Sequence, residues 1–486
     1  MSIKIYNSMS KKKEDFTTLI EGKVSMYVCG PTVYDFLHVG NFRGAIFFNA
    51  VRNWLEKHNY EVNYVYNYTD VDDKIINRAN ELGITPKELS EKYIAEFEKD
   101  YSGLRLRPHS SNPRVSDHID NIIKMISSLI EKDKAYATPS GDVYFSVENF
   151  SEYGKLSNKN IDELQEGVRI EVNKEKKHNS DFALWKGAKE GEVSWTSPWG
   201  EGRPGWHIEC SVMAKEVLGE SIDIHGGGLD LLFPHHENEI AQSEACSGKE
   251  YVKYWMHNNM LEFGNQKMSK SLGNVKTGRS FIEEYNGEVL KFLNLSSHYR
   301  SVIDFSDVQI GRSIASLAKF YSSLKHAENL IAKDLALVPV PADFQKLVDD
   351  CTKGFEDSMN NDFNTADALS YFFELMRQFN NLTRKPGKVK PEYKAIAEVY
   401  FHWVRDKGSV IALFQESPSE YLTLLDDMLL RQKGLKREDI DQLVTERTQV
   451  RADKNYARSD EIRDELAAKG ILVSDTPEGT TWEVEK

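Results

Sequence analysis

Cysteine is scarce: Cys29, Cys210, Cys246 and Cys351 are the only four in 486 residues, and no two form a CxxC pair. So few and so scattered, they exclude a disulfide framework and read as thiols or metal ligands. No run approaches the roughly 18 apolar residues of a membrane span, and Met1 to Phe16 carries three consecutive lysines without the apolar core of a secretory signal. The expectation is a cytoplasmic protein with no membrane partner. Excess positive charge is also missing: 62 Lys and Arg stand against 76 Asp and Glu, a net charge of -14. Any nucleic-acid contact must therefore come from a local basic surface rather than a general field. Internal repeats, low-complexity tracts and the glycine-rich dinucleotide fingerprint are absent as well.

What is present is the balance of a globular chain, 40% hydrophobic and 28% charged, long enough for about three structural units. Lys23 to Cys29 is a strand-like apolar run ended by Gly30-Pro31. From His38 to Asn59 apolar residues recur at 42, 46, 47, 50, 51, 54 and 55, the spacing of a helix. Val62 to Tyr68 reads as a second strand, and the Asp and Thr residues of Thr69-Asp70-Val71-Asp72-Asp73 can cap the helix that follows. This β-α-β-α order predicts an α/β fold with a parallel sheet and crossover helices. Between about 110 and 205 come short strands, turns and four glycines from Gly187 to Gly202. That stretch reads as an insertion, because strand-like segments resume at Ser221 to His225 and Tyr251 to His257. From about Asp307 the period is helical, predicting a bundle, and the last 60 residues form a smaller charge-rich unit.

Two segments carry candidate chemistry. His38-Val39-Gly40-Asn41 sits where a strand has ended and a helix begins, so its N–H groups can meet an anion. Lys267-Met268-Ser269-Lys270-Ser271 lies between Gly264 and Gly273, a cationic loop suited to closing over a polyphosphate and stabilising a departing pyrophosphate. Asp230 follows Gly226-Gly227-Gly228, which allow close backbone approach, and can hold a ribose or an amino group. Candidate metal donors are also present. Cys29 ends the first strand, Cys210 lies in Trp206-His207-Ile208-Glu209-Cys210, and His235 and Glu239 are spaced i, i+4, with His236 about 100° away on a helix. Two thiolates, an imidazole and a carboxylate suit tetrahedral zinc. Spacing alone does not choose among His207, His225, His235 and His236.

Taken together, these strings resemble the cysteinyl-tRNA synthetase family of class I aminoacyl-tRNA synthetases, whose signatures are a HIGH tetrapeptide and a KMSKS loop. Similar strings include Cys29-Gly30-Pro31-Thr32-Val33-Tyr34-Asp35, Asn67-Tyr68-Thr69-Asp70-Val71-Asp72-Asp73-Lys74-Ile75 and Gly205 to Ser211. So do His225 to Asp230, Phe233 to Glu239 and, more loosely, Asp362-Phe363-Asn364-Thr365 and the Gly479 to Trp482 ending. The resemblance is dense over the first 300 residues. One departure stands out: the last HIGH position is Asn41, whose amide hydrogen-bonds but does not titrate near neutral pH, which argues against proton transfer there.

The resemblance implies a Rossmann-like catalytic domain over 1–110 and 205–265, with an inserted subdomain at 111–204. It further implies a KMSKS and stem-contact region at 266–306, a helical bundle at 307–425 and an anticodon-binding domain at 426–486. It places zinc on Cys29, Cys210, His235 and Glu239, and puts Gly30, Thr69 and Trp206 around the amino acid. ATP with Mg²⁺ falls to His38, Gly40, Asn41, Asp230 and Lys270, and His38, Asn41, Lys267 and Lys270 carry the catalysis. The implied reaction joins cysteine to the 3′-terminal adenosine of tRNA(Cys) through cysteinyl-adenylate, in a monomer. Two alternatives are a cysteine-activating ligase with an amino-sugar acceptor and an inactive RNA-binding paralogue. Arg447, Arg451, Lys454 and Arg458, spaced 4, 3 and 4, form one basic stripe if the helix is unbroken, whereas a cap at Asp453 or Asn455 would destroy it. Cys246 and Cys351 fall in helical stretches and read as small apolar side chains.

Overall fold

Strands that are largely buried need cover on both faces, and four such strands form one parallel sheet. The computed structural model describes residues 2–159, 175–189, 191–263, 266–267, 276–476 and 479–486. A short hairpin of β1 (Lys4–Asn7) and β2 (Lys12–Asp15) precedes β3 (Lys23–Val28), α1 (Asn41–Lys57) and β4 (Glu61–Tyr66). Helices α2 (Asp73–Leu82), α3 (Pro86–Gly103) and α4 (Ile119–Glu131) follow. Then come the strands β5 (Ala135–Ala137), β6 (Val143–Phe145), β7 (Phe182–Gly187), β8 (Trp195–Ser197) and β9 (Gly200–Pro204) of a separate antiparallel sheet, ordered β5-β6-β7-β9-β8. The chain then returns through α5 (Trp206–Leu218), β10 (Ile222–Gly228), α6 (Glu237–Ser247) and β11 (Val252–Asn258). The parallel sheet has the order β11-β10-β3-β4, so sequence-distant halves meet at its centre.

Helix α1 is buried almost all round, Arg43, Asn49 and Arg52 included, because it is covered on both sides. Phe48 and Ala45 are fully buried against the sheet side of the core, while Trp54 packs on Phe355 and donates from Nε1 to Asn360 Oδ1 at 3.1 Å, both residues of a bundle helix. Gly226 on β10 must be glycine, since a Cβ there would lie 2.2 Å from the Phe48 ring. Beyond the sheet, β12 (Leu261–Phe263) pairs antiparallel with β13 (Gln266–Lys267) and parallel with β14 (Ile303–Asp304), and α7 (Gly278–Tyr285) and α8 (Gly287–Leu295) lie between. The bundle comprises α9 (Asp307–Ile331), α10 (Ala342–Asn360), α11 (Thr365–Thr383), α12 (Pro391–Val410) and α13 (Pro418–Gln432). Cys351 is buried on α10 and Cys246 half-buried on α6. Among the described residues no helix is long and apolar enough to cross a membrane.

The last unit, α14 (Arg437–Ala452), α15 (Tyr456–Ala468) and the hairpin β15 (Ile471–Thr476) and β16 (Gly479–Val484), has its own core of Ile440, Val444, Ile462, Leu466, Ile471 and Val484. Here the expected basic stripe is overturned. Helix α14 stops at Ala452, Lys454 turns to φ +62°, and Asn455 caps α15 by accepting the Arg458 N–H at 3.3 Å. Arg447 is buried and grips Asp475 with two bonds of 2.8 and 3.0 Å, Arg451 joins the same carboxylate, and Arg458 pairs with Glu446. Three of the four cations are thus spent on intramolecular pairs. The hydrogen bond from Arg447 is the main force holding the Asp475 carboxyl well below its ordinary range. A depressed pKa means stability present at neutral pH and lost only as pH falls through the folded value. Arg447→Ala should therefore loosen the β15–β16 hairpin by about 1–2 kcal/mol, a magnitude discounted for solvent screening of Asp475. Faster amide exchange in that hairpin at pH 7 checks this; unchanged exchange contradicts it.

Candidate active site and metal centre

The carboxyl ends of parallel strands are where an open α/β sheet offers a crevice. Here the segments after β3, β4 and β10 and at the end of β11 surround a cavity of about 390 Å³. Its walls include Gly30, Gly40, Asn41, Trp206, Asp230 and Met260, with Cys29 at the floor and Lys74 at the rim.

One wall is the start of α1. Gly40 occupies the cap position, and Asn41 opens the helix with its Oδ1 accepting the His38 N–H at 3.1 Å, so this amide shapes the turn. The same turn is bonded to chain far along the sequence: Val39 N–H donates to Lys276 O at 3.0 Å, Gly278 N–H donates to Leu37 O at 2.8 Å, and His38 pairs with Thr277. Lys267 ends the β12–β13 hairpin, and Thr277 lies beside His38. Lys270 lies outside the described residues.

The floor is a dense cluster of donors. Cys29 Sγ lies 3.8 Å from Cys210 Sγ and 3.5 Å from Glu239 Oε1, which is itself 3.0 Å from His235 Nε2. Zinc bonds of about 2.0–2.3 Å in a tetrahedron give ligand–ligand edges of about 3.3–3.8 Å, a range that holds both distances from Cys29 and lies just above the His235–Glu239 one. The ligand atoms of Cys29, Cys210, His235 and Glu239 all lie within 4.8 Å of one another. Burial pushes the Cys29 thiol and the Glu239 carboxyl up, whereas Cys210 is pushed down to about 7, chiefly by the hydrogen bond from Cys29. The ring of Trp206 stacks on His235 at 4.3 Å, and His207 Nδ1 meets His235 Nδ1 at 2.9 Å, fixing the imidazole from behind.

Spacing on an ideal helix turned His236 away from this cluster; the structure does not. Residues 232–236 form a wider turn with Phe233 extended, and α6 begins only at Glu237. His236 thereby presents Nε2 to Cys29 Sγ at 3.4 Å, as His225 does from β10 at the same distance, a second donor set that shares Cys29 and Glu239. His236 Nδ1 continues to His257 Nε2 at 2.8 Å, and His257 Nδ1 to Ser8 Oγ at 2.8 Å. Burial holds His225, His236 and His257 neutral, the last at about 3.

Thr69 is buried behind the wall, paired with the backbone of Thr32. Its neighbour Asn67, which sequence reasoning passed over, accepts the Gly30 N–H through Oδ1 at 2.8 Å. A Cβ on Gly30 would lie 1.7 Å from Asn67 O, so only glycine permits this approach. The amide at 67 stands just past the end of β4, and His225, one of the histidines that spacing left open, lies inside β10.

Comparison with known proteins fits this geometry. Residues 15–315 match the family described as tRNA synthetases class I (C) catalytic domain, 354–415 the DALR domain, and 437–482 the Cysteinyl-tRNA ligase anticodon binding domain. A methionyl-tRNA synthetase from Mycobacterium tuberculosis, solved with methionyl-adenylate, shares the fold at a TM-score of 0.64 and 14% identity, over 83% of this chain and 94% of that one. Fold and site thus define a class I aminoacyl-tRNA synthetase. Cysteine–tRNA ligases from Bdellovibrio bacteriovorus and Geobacter metallireducens are 56% and 47% identical over 100% of both chains in each case. The chain belongs to the cysteine–tRNA ligase family.

Proposed function

We propose that this protein activates cysteine with ATP to cysteinyl-adenylate and pyrophosphate, then transfers cysteine to the 3′-terminal adenosine of tRNA(Cys). The observation that carries the reading is the convergence of Cys29, Cys210, His235 and Glu239 at the floor of the strand-end cavity. A zinc ion held there supplies a soft, electrophilic position for the substrate thiolate, which serine's hydroxyl cannot match. A site built on one strong contact rejects an analogue lacking it by roughly 10⁴–10⁵-fold, so no editing step is needed.

The chain's own groups do the rest. Gly30 and Trp206 enclose the amino acid, with Thr69 behind them supporting the Thr32 backbone, and leave its carboxylate facing the nucleotide. His38, Gly40 and Asn41 hold the triphosphate of Mg²⁺-ATP at the α1 terminus, and Asp230 holds the ribose or amino group. The carboxylate oxygen attacks the α-phosphorus as its bond to pyrophosphate breaks, and Lys267 and Lys270 stabilise the charge that leaves. A ribose hydroxyl of the terminal adenosine then attacks the acyl carbon and AMP departs. Units 266–306, 307–425 and 426–486 serve stem contact, bundle and anticodon binding. Following the family resemblance, the working form is a cytoplasmic monomer with one zinc per chain.

Cysteine-dependent pyrophosphate exchange, followed by transfer of labelled cysteine to tRNA, tests this. Exchange with transfer is expected. Exchange without transfer would point to another acceptor, such as an amino sugar, and absence of both to an inactive RNA-binding paralogue. The matches at 354–415 and 437–482 favour tRNA over a sugar.

A further inference from the structure

Asp362 lies in the turn between the bundle helices α10 and α11, fully buried and held at φ +67°. A buried carboxylate must be satisfied, and this one is, entirely by chain outside the bundle. Its Oδ1 accepts the Tyr6 N–H at 2.8 Å and the Tyr299 hydroxyl at 2.7 Å. Its Oδ2 accepts from Arg300 Nε at 3.0 Å and Nη2 at 2.9 Å. His298, which burial pushes down to about 4 and so keeps neutral, faces the same oxygen at 3.5 Å.

The residues it grips are those whose backbone builds one wall of the cavity. Tyr299 O accepts the Asn259 N–H at 2.8 Å, Arg300 O accepts Asn259 Nδ2 at 2.9 Å, and Ile303 N–H donates to Met260 O at 3.2 Å. Asn258, Asn259, Met260 and Leu261 line the cavity together with His38, Gly40 and Asn41 at the α1 terminus, and Asn258 Oδ1 lies against Gly44 of α1. From the other side Arg43 of α1, also buried, ties the same segments together by donating to Met260 O at 2.6 Å and Tyr299 O at 3.0 Å. Tyr299 in turn stacks on Phe47 of α1 at 4.1 Å. An unbroken series of hydrogen bonds therefore joins the bundle turn to the 258–261 wall, and β14 extends it to β12, the root of the lysine-rich segment.

We propose that Asp362 is a positioning residue for the nucleotide: through Tyr299 and Arg300 it sets the 258–261 wall at the distance from α1 that ATP requires. The inference rests on reading the cavity as the ATP site. Its side-chain partners are Tyr6, Tyr299, Arg300 and His298, none of them a metal donor, so its effect falls on ATP and not on cysteine.

Asp362→Asn tests it. The amide keeps an acceptor for Tyr6 and Tyr299 but loses the charge that holds Arg300. In pyrophosphate exchange the KM for ATP should rise about tenfold, because small misplacements of a binding wall are costly, while the KM for cysteine and the zinc content stay at wild-type values. Arg300→Gln should reproduce the shift, and Arg300→Lys, which retains the charge, should restore much of it. The Asp362→Asn/Arg300→Gln double variant should be no worse than the worse single one. If Asp362→Asn does not fold, the partly exposed Arg300 carries the same test. An unchanged KM for ATP would overturn the proposal. So would a loss in which kcat, both KM values and thermal stability move together, the mark of a merely structural role. Absence of cysteine-dependent exchange in the wild-type protein would instead overturn the proposed function.

Discussion

Cys210→Ser should reduce bound zinc to a small fraction of one per chain and cut cysteine-dependent exchange by about 10³-fold or more. Serine is nearly isosteric, so the buried surroundings of residue 210 need not move, but its hydroxyl neither ionises near neutral pH nor suits zinc as a thiolate does. Metal analysis and exchange are measured on the same sample, with circular dichroism to show that the fold persists. Cys246→Ser is the control: that thiol sits half-buried on α6, near Ser128 Oγ at 3.9 Å, and its loss should leave zinc and rate unchanged. A Cys210→Ser variant with full zinc and full rate would remove Cys210 from the metal centre.

The second large effect is expected at Lys270. Lys270→Ala should lower adenylate formation by about 10²–10³-fold, the usual cost of removing a group aimed at charge that develops in the transition state. Zinc content and the affinity for cysteine should hold. What supports this is the chain a few residues on: Val39 N–H donates to Lys276 O, and Thr277 pairs with His38 at the α1 terminus. Parallel loss of zinc and exchange would mean a misfolded chain and would contradict the assignment.

Much of this was legible in the sequence, for physical reasons that differ by element. The sheet was readable because runs such as 222–228 and 252–258 are buried at nearly every residue and draw on Ile, Val, Tyr, Trp and Met, with the polar exceptions Asp223, His225, Lys253, His257 and Asn258. The α1 period was readable because its spacing is set by burial, although its first residue is Asn41 rather than His38. The inward turn of His236 was not, since helical spacing holds only inside a helix and residues 232–236 wind more widely. The basic stripe failed through one local competitor, the Asn455 side chain, which caps a new helix and breaks the alignment. Arg447 illustrates a different limit: its carboxylate partner comes from strand β15, which charge spacing along the helix gives no means to foresee. Asp362 is the extreme case, with partners at Tyr299 and Tyr6, 63 and 356 residues away. Chemistry at strand ends is written locally, whereas the bonds that hold a wall in place are long-range.

The claim on which the account turns is that the metal held by Cys29, Cys210, His235 and Glu239 takes the sulfur of the incoming amino acid as a further ligand. Cobalt substituted for zinc makes this visible. Adding cysteine should produce a new sulfur-to-cobalt charge-transfer band, and adding serine should not. A spectrum unchanged by cysteine, in protein that carries one cobalt per chain and still catalyses exchange, would contradict it.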